Sequence, residues 1–437
     1  MNENDHSFQS ILNMLLIVAV IISAFAFIHT FKDTRRYGGI DLRGRVTGAR
    51  LLIEGLDPYY FRWHPAYSDR LLDPLDAPNR KVSRVSVPPT VLLFHATFSW
   101  LHYSVQRIIW FFVQWVLLGL CLLILSKSTE SHVRGKTIWL LGLFFFACSF
   151  FWRLHVERGQ IYILYTFLML LAYWISHRFI KNSSIYSGII LGLATTLRPT
   201  IIFMVIPMVI YRRWHMVIGT LIGILSGIIS SIALSGVSVW KSYFSAMPML
   251  GKTNLNLLHF VQSRYANRYK IIEGMDNLHK HLKFPADSSS LQTLFAKYFG
   301  LNLSSGIFLF SLIILLFIIS SFLFRYRLKH ISSRLLFLIG AQLVVISEYF
   351  MPPNRWPYTN VIWIIPLSLI LAECDSLVLL LKNRFVILLW IGLFFDISFR
   401  WTNSTNLISD FSIPAYTMIT LFGIIMQKYR KENERIF

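Results

Sequence analysis

Apolar runs of about 15 to 20 residues recur along the chain, set apart by short basic connections and two long polar stretches. A membrane-spanning helix needs about 20 mostly apolar residues. Ten crossings are predicted: Ile11–Phe31, Ser104–Leu125, Thr137–Phe151, Ile161–Ser176, Met216–Leu234, Ser304–Phe324, Ile331–Phe350, Tyr358–Ala372, Arg384–Trp401 and Phe411–Met426. Lys and Arg collect in the short connections, at Lys127/Arg134/Lys136, Arg178/Lys181, Arg212/Arg213, Arg325/Arg327/Lys329 and Lys382/Arg384, and in the tail at Lys428/Arg430/Lys431/Arg435. The positive-inside rule places these in the cytoplasm together with both termini. The polar stretches 32–87 and 237–303 then face outward from a single integral membrane domain covering 1–437. Ile11–Phe31 is too long for a signal-peptide core and lacks a small-residue cleavage site, so it reads as an anchor.

Three segments depart from simple crossings. Tyr186–Tyr211 is apolar with basic residues at both ends, interrupted by Arg198-Pro199. Each half holds about a dozen residues, near 18 Å at about 1.5 Å per residue, short for a core of about 30 Å. A re-entrant pair with Arg198-Pro199 at its apex is predicted, because such backbone is tolerated at depth where protein buries it or it lines a wet cavity. Val85–Tyr103 is too short and Pro-led to span, and reads as a half-buried helix feeding the next crossing. Between Asp41 and Tyr59, Val46, Ala49, Leu52 and Ile53 fall at helical spacing with Arg43, Arg45 and Arg50 among them, which predicts a helix lying on the bilayer, ended by Gly55 and Pro58.

Composition agrees with an all-α polytopic membrane protein: 55% of residues are hydrophobic, 16% aromatic and 14% charged, against about 25% charged in soluble chains. The net charge of +21 sits in connections between spans, where it sets orientation and meets anionic lipid. No basic stripe with interleaved aromatics stands on a soluble module, so nucleic acid is not expected as a partner. Cys121, Cys148 and Cys374 lie in or beside apolar runs, unpaired by spacing, and read as small core residues. There is no P-loop, HExxH, GxSxG or CxxC, and no acidic cluster with metal-ligand spacing; neither metal nor cofactor is expected.

Candidate chemistry begins at Asp41, a carboxylate at the predicted external surface behind the flexible Gly38-Gly39. It suits a helix N-cap or a general base, and the two roles are compatible. In the run Arg153, His155, Glu157 and Arg158, polar groups at this depth read either as functional or as a solvated turn. Gln160, at the start of the following span, needs a partner in lipid. Arg198 is a cation within an apolar stretch, and its planar guanidinium suits phosphate; snorkelling is the alternative. Arg355 beside Trp356 and Tyr358 allows either the same role or an aromatic-belt anchor. His64, Arg62, Arg264, His279, Lys280 and His281 are possible anion contacts in the external loops.

Four places resemble the GT-C type membrane glycosyltransferases, and within them glycosyltransferase family 87, which includes polyprenyl-phosphate-mannose-dependent α-mannosyltransferases. They are Asp41 with Ala49, Leu52, Gly55 and Pro58-Tyr59; Pro88-Pro89 leading a helix; Gly159-Gln160 at a span start; and Gly192–Thr200, GLATTLRPT. Arg45 stands where the family often has an aromatic residue, and Tyr162-Ile163 replaces its usual Asn after Gly-Gln. The resemblance implies a GT-C-like bundle that moves a mannose-like hexose from a polyprenyl-phosphate donor to a glycolipid or glycan acceptor, with inversion, outside a bacterial inner membrane. Asp41 is then the expected base, Arg198, Arg355 and His64 the donor-phosphate contacts, and His155, Glu157, Gln160 and Tyr59 the acceptor or cavity residues. A polysaccharide polymerase and a lipid-linked sugar flippase are the competing classes; a transporter is expected to show paired broken helices, and a single broken segment is visible.

Overall fold

A computed structural model describes residues 3–76, 85–177, 182–250, 290–325, 331–351 and 355–373, and among these there are helices and connecting loops but no strand. The helices in chain order are α1 (Glu3–Tyr37), α2 (Ile40–Ile53), α3 (Pro89–Ala96), α4 (Tyr103–Lys127), α5 (His132–Leu140), α6 (Phe150–Arg158), α7 (Tyr162–Ser176) and α8 (Ser183–Leu197). There follow α9 (Val205–Ile210), α10 (Trp214–Ser235), α11 (Val237–Leu250), α12 (Leu291–Phe299), α13 (Ser305–Arg325), α14 (Ser333–Phe350) and α15 (Ile364–Glu373). Of the described helices, five are long and apolar enough to cross a membrane, or six if the bent pair α6–α7 is one span. The crossings predicted at 384–401 and 411–426 lie outside the described residues, as do Arg264, His279, Lys280 and His281.

The third predicted crossing is displaced. α5 runs on through a wider π-type turn, Leu141–Phe146, and the chain breaks before Ser149, whose hydroxyl accepts from the Trp152 N–H at 3.1 Å and starts α6. The run from Arg153 to Arg158 is therefore helical and not a loop. α6 and α7 meet at 107°. Gly159 closes α6 at φ 66°, a left-handed conformation open to glycine, and so makes the corner.

α2 does not lie on a surface. Every residue from Leu42 to Leu52 is buried, because α3 and the loop residues around Asp73 and Leu101 pack over it. Its arginines find partners inside: Arg43 pairs with Asp73 at 2.9 Å, and Arg50 donates to the carbonyl of Arg70 at 3.2 Å. Gly55, at φ 69°, follows the end of α2.

The segment around Arg198 is a hairpin. Gly188 and Gly192 of α8 lie against Met216–Thr220 and Thr220–Ile224 of α10, and Thr196 lies against Gly227. Numbers rise together along this contact, so α8 and α10 run parallel; a single crossing at 186–211 would make them antiparallel. A Cβ on Gly188, Gly192, Gly219 or Gly223 would meet backbone of the opposing helix, which is why the approach is so close. The returning arm, a 3-10 helix Pro199–Met204 followed by α9, runs antiparallel to α14: Arg198 reaches Glu348, Met204 meets Gly340, and Arg213 donates to the Ile331 carbonyl at 3.0 Å. The pair thus turns at Arg198-Pro199, as expected, and its returning arm extends the length of α14. A 3-10 helix rises about 2.0 Å per residue against about 1.5 Å for an α-helix, which lets a short arm cover this distance.

The two ends of the bundle differ. At one end Arg334 donates to the carbonyls of Ser128 at 2.7 Å and Ala372 at 3.2 Å, Arg134 also reaches Ala372 at 3.1 Å, and Lys136 reaches Asn13 at 2.7 Å. The other end gathers the start of α2, the α6–α7 corner, the apex at Arg198 and the C-terminal end of α14.

Candidate active site

The start of α2 meets the α6–α7 corner at Asp41. Gly39, at φ 67°, precedes the helix without a side-chain cap, so Asp41 sits in the first turn and does not act as the N-cap. Its Oδ2 accepts from Arg158 Nε and from Gln160 Nε2, both at 2.5 Å, while Oδ1 takes one longer bond of 3.3 Å from Arg158 Nη2. A carboxylate has about four acceptor positions. The lightly used Oδ1 is the oxygen left to meet a further donor, and about a quarter of the side chain is open to solvent, 27% against 19% for Arg158.

The corner is held from beneath. Arg45, one turn after Asp41 on the same face of α2, donates to the Gly159 carbonyl at 2.7 Å and to Gln160 Oε1 at 2.5 Å. Trp110 on α4 also donates to the Gly159 carbonyl, at 3.2 Å. A Cβ on Gly159 would stand 2.7 Å from Leu42 Cβ, so this close approach of α2 to the corner needs glycine as well.

An aromatic wall joins Asp41's partner to Arg198. The Arg158 guanidinium lies 4.8 Å from the Trp356 ring and 5.7 Å from Tyr358; Tyr358 packs at 5.5 Å on Tyr162, and Arg198 lies 5.1 Å from the Tyr162 ring. Cations over such faces gain about 0.5–2 kcal/mol each. Arg198 forms a two-pronged pair with Glu348, through Nε at 2.9 Å and through Nη2, and Thr200 donates to the same carboxylate. Glu348 is buried at 3% exposure while the Arg198 side chain keeps 28%. Its Nη1 makes no hydrogen bond among the described residues, leaving one edge of the fork available to an anion.

Of the residues expected from sequence, Asp41, Gln160 and Arg198 come together on this wall. The others do not. His155 is fully buried, stacks on Trp152 at 5.3 Å, and accepts the Ile163 N–H on Nε2 at 3.2 Å, so it pins the start of α7. Glu157 is half-buried with Asp33 and Arg153 as charged neighbours, and Arg153 pairs with Asp33 at 3.2 Å; no hydrogen bond among the described residues ties Glu157 to Asp41. Tyr59 is buried and donates to the Val87 carbonyl at 2.8 Å, pinning the loop after α2 to the approach of α3; burial pushes its phenol above the ordinary range. His64 is exposed in a turn, its Nδ1 accepting from the Ala66 N–H at 3.3 Å. Arg355 is buried at 3% exposure, donating to Asn360 with its guanidinium 3.8 Å from the Tyr349 ring.

Sequence reasoning missed Glu348 and the roles of Arg45, Arg158, Trp356 and Tyr358. Glu348 carried a signal, since an acid inside the apolar run Ser333–Phe350 is expensive and needs a partner. The aromatic residues carried none, being common near membrane interfaces.

These features define a helical membrane protein with an ordered carboxylate and a cation at one end of its bundle. A family model for glycosyltransferase family 87 matches residues 87–347, more than half of the chain, and the protein belongs to that family. The crystal structure of ArnT from Cupriavidus metallidurans in the apo state aligns with 95% of this chain and 76% of that one, at 10% identity and a TM-score of 0.36, a likeness too slight to bear on the site. No curated protein matches the chain.

Proposed function

We propose that this glycosyltransferase moves a mannose-like hexose from a polyprenyl-phosphate donor to a hydroxyl of a lipid-linked or glycan acceptor, with inversion, on the external face of a bacterial inner membrane. The observation that carries the reading is the arrangement of Asp41, with Oδ1 underused, on one wall with Arg198, whose Nη1 is open. The orientation follows from the clustering of Arg134, Arg213 and Arg334 at the opposite end of the bundle, which the positive-inside rule puts in the cytoplasm.

In the proposed reaction Asp41 Oδ1 takes the acceptor hydroxyl's proton as its oxygen attacks the anomeric carbon. The bond from that carbon to the phosphate oxygen breaks, and its electron pair leaves with the lipid phosphate, whose charge rises from one to two. Arg198 answers that added charge through Nη1, a charge-assisted donor aimed where negative charge develops. Arg158 and Gln160 hold the base mainly through Oδ2, with only the longer 3.3 Å bond from Arg158 Nη2 on the reactive Oδ1.

The test is Asp41→Asn. Turnover with a panel of radiolabelled polyprenyl-phosphate sugars and a lipid extract should fall by about 10²–10⁴. Two donors face Oδ2, and an Asn can offer them its single oxygen, so folding is checked by melting in detergent. Near-normal turnover in the variant would remove Asp41 as the base.

A further inference from the structure

We infer that Arg45 is a positioning residue that decides which end of the Gln160 amide faces Asp41, and so which carboxylate oxygen meets the acceptor. The inference rests on Asp41 being the base. A Gln side chain ends in an acceptor oxygen and a donor NH2 of nearly equal size, so packing alone does not orient it. A guanidinium has donors only. With Arg45 Nη2 at 2.5 Å, the Gln160 oxygen is drawn to Arg45, and the NH2 is left to donate to Asp41 Oδ2.

Arg45 is in turn held in place. It is 5% exposed and tied through Nη1 to the Gly159 carbonyl at 2.7 Å. Asp41 and Arg45 are one turn apart on α2, so a single stretch of helix holds both ends of the relay. Both hydrogen-bond partners of Arg45 are neutral oxygens. Its charge therefore polarises the Gln160 amide and strengthens the N–H that reaches Asp41.

The relay keeps Oδ2 doubly occupied and presents Oδ1. Without Arg45, nothing holds the Gln160 oxygen, the amide can swing away from Oδ2, and the carboxylate loses its fixed orientation. Turnover then suffers more than substrate binding, because the base acts in the transition state and not in holding the donor.

The experiment compares kcat and KM of the full-length protein, purified in detergent, for the polyprenyl-phosphate sugar that the wild type uses. Arg45→Met and Gln160→Leu should each lower kcat by about tenfold or more, with KM within about threefold. The double variant should be no slower than Gln160→Leu alone, since both changes break one relay. Arg45→Lys, which keeps a donor at Oε1, should recover part of the loss. Gln160→Glu leaves Arg45 paired and folded but offers Asp41 an acceptor in place of a donor, and should be as slow as Arg45→Met; it decides the matter alone if Arg45→Met does not fold. Multiplicative losses in the double variant, or a normal kcat in Gln160→Glu, overturn the inference while leaving Asp41→Asn to judge the base itself.

Discussion

Separate and joint replacement of Arg198 and Glu348 distinguishes a phosphate contact from a structural ion pair. Removing one partner of a buried pair costs about 3–5 kcal/mol, because the other charge is stranded. The two singles should differ. Arg198→Met leaves a carboxylate at 3% exposure with Thr200 as its remaining side-chain donor, and belongs at the upper end of that range. Glu348→Gln leaves a guanidinium that is 28% exposed and can draw on water, and belongs near the lower end. The double variant Arg198→Met/Glu348→Gln strands no charge and should recover most of the stability, read as melting temperature in a fixed detergent. Activity should not follow. If Nη1 stabilises the departing phosphate, both variants lacking Arg198 lose about 2–4 kcal/mol of transition-state stabilisation, about 30- to 10³-fold in kcat/KM. Glu348→Gln keeps the guanidinium and should lose much less. Activity returning together with stability in the double variant would refute the phosphate contact and leave Arg198 as a strut.

Two further outcomes follow from the backbone. Gly159→Ala must adopt φ near 66° at a cost of about 1–2 kcal/mol and pushes Leu42 away, which displaces Asp41 at the head of the same helix; turnover should fall by about tenfold or more in folded protein, and unchanged turnover would show that the corner does not set the base. Cysteines placed at positions 213 and 300 should be labelled from opposite faces of sealed vesicles, 213 from the cytoplasmic one; labelling of 213 from the external face would contradict the hairpin or the proposed orientation, and labelling of both from one face would mean that α10 does not cross.

Much of the site was legible because its residues violate local expectation. Asp41 at an interface, Gln160 in an apolar start and Arg198 beside a proline are each costly where they stand, and cost marks them out. His155, Glu157, Tyr59, His64 and Arg355 share the same chemistry and proved to pin corners, flank the site or face solvent, since residue type alone does not say which way a side chain points. Arg355 and Glu348 show what residue type leaves open: a conspicuous cation lies buried against Asn360, while an acid overlooked in an apolar run is the partner of Arg198.

By itself the sequence determined the helical membrane class, the positions of most described spans, the break at Arg198-Pro199 and the family, because apolar run length, proline and glycine act on backbone within a few residues. Only the tertiary structure decided that α2 is buried instead of lying on the bilayer, that α8 and α10 run parallel, and that Asp41, Arg158, Gln160 and Arg45 form one relay. Those outcomes depend on partners more than 100 residues apart in the case of Asp41 with Arg158 and of Arg198 with Glu348. A buried charge takes its meaning from the group that compensates it, and that group is chosen by packing.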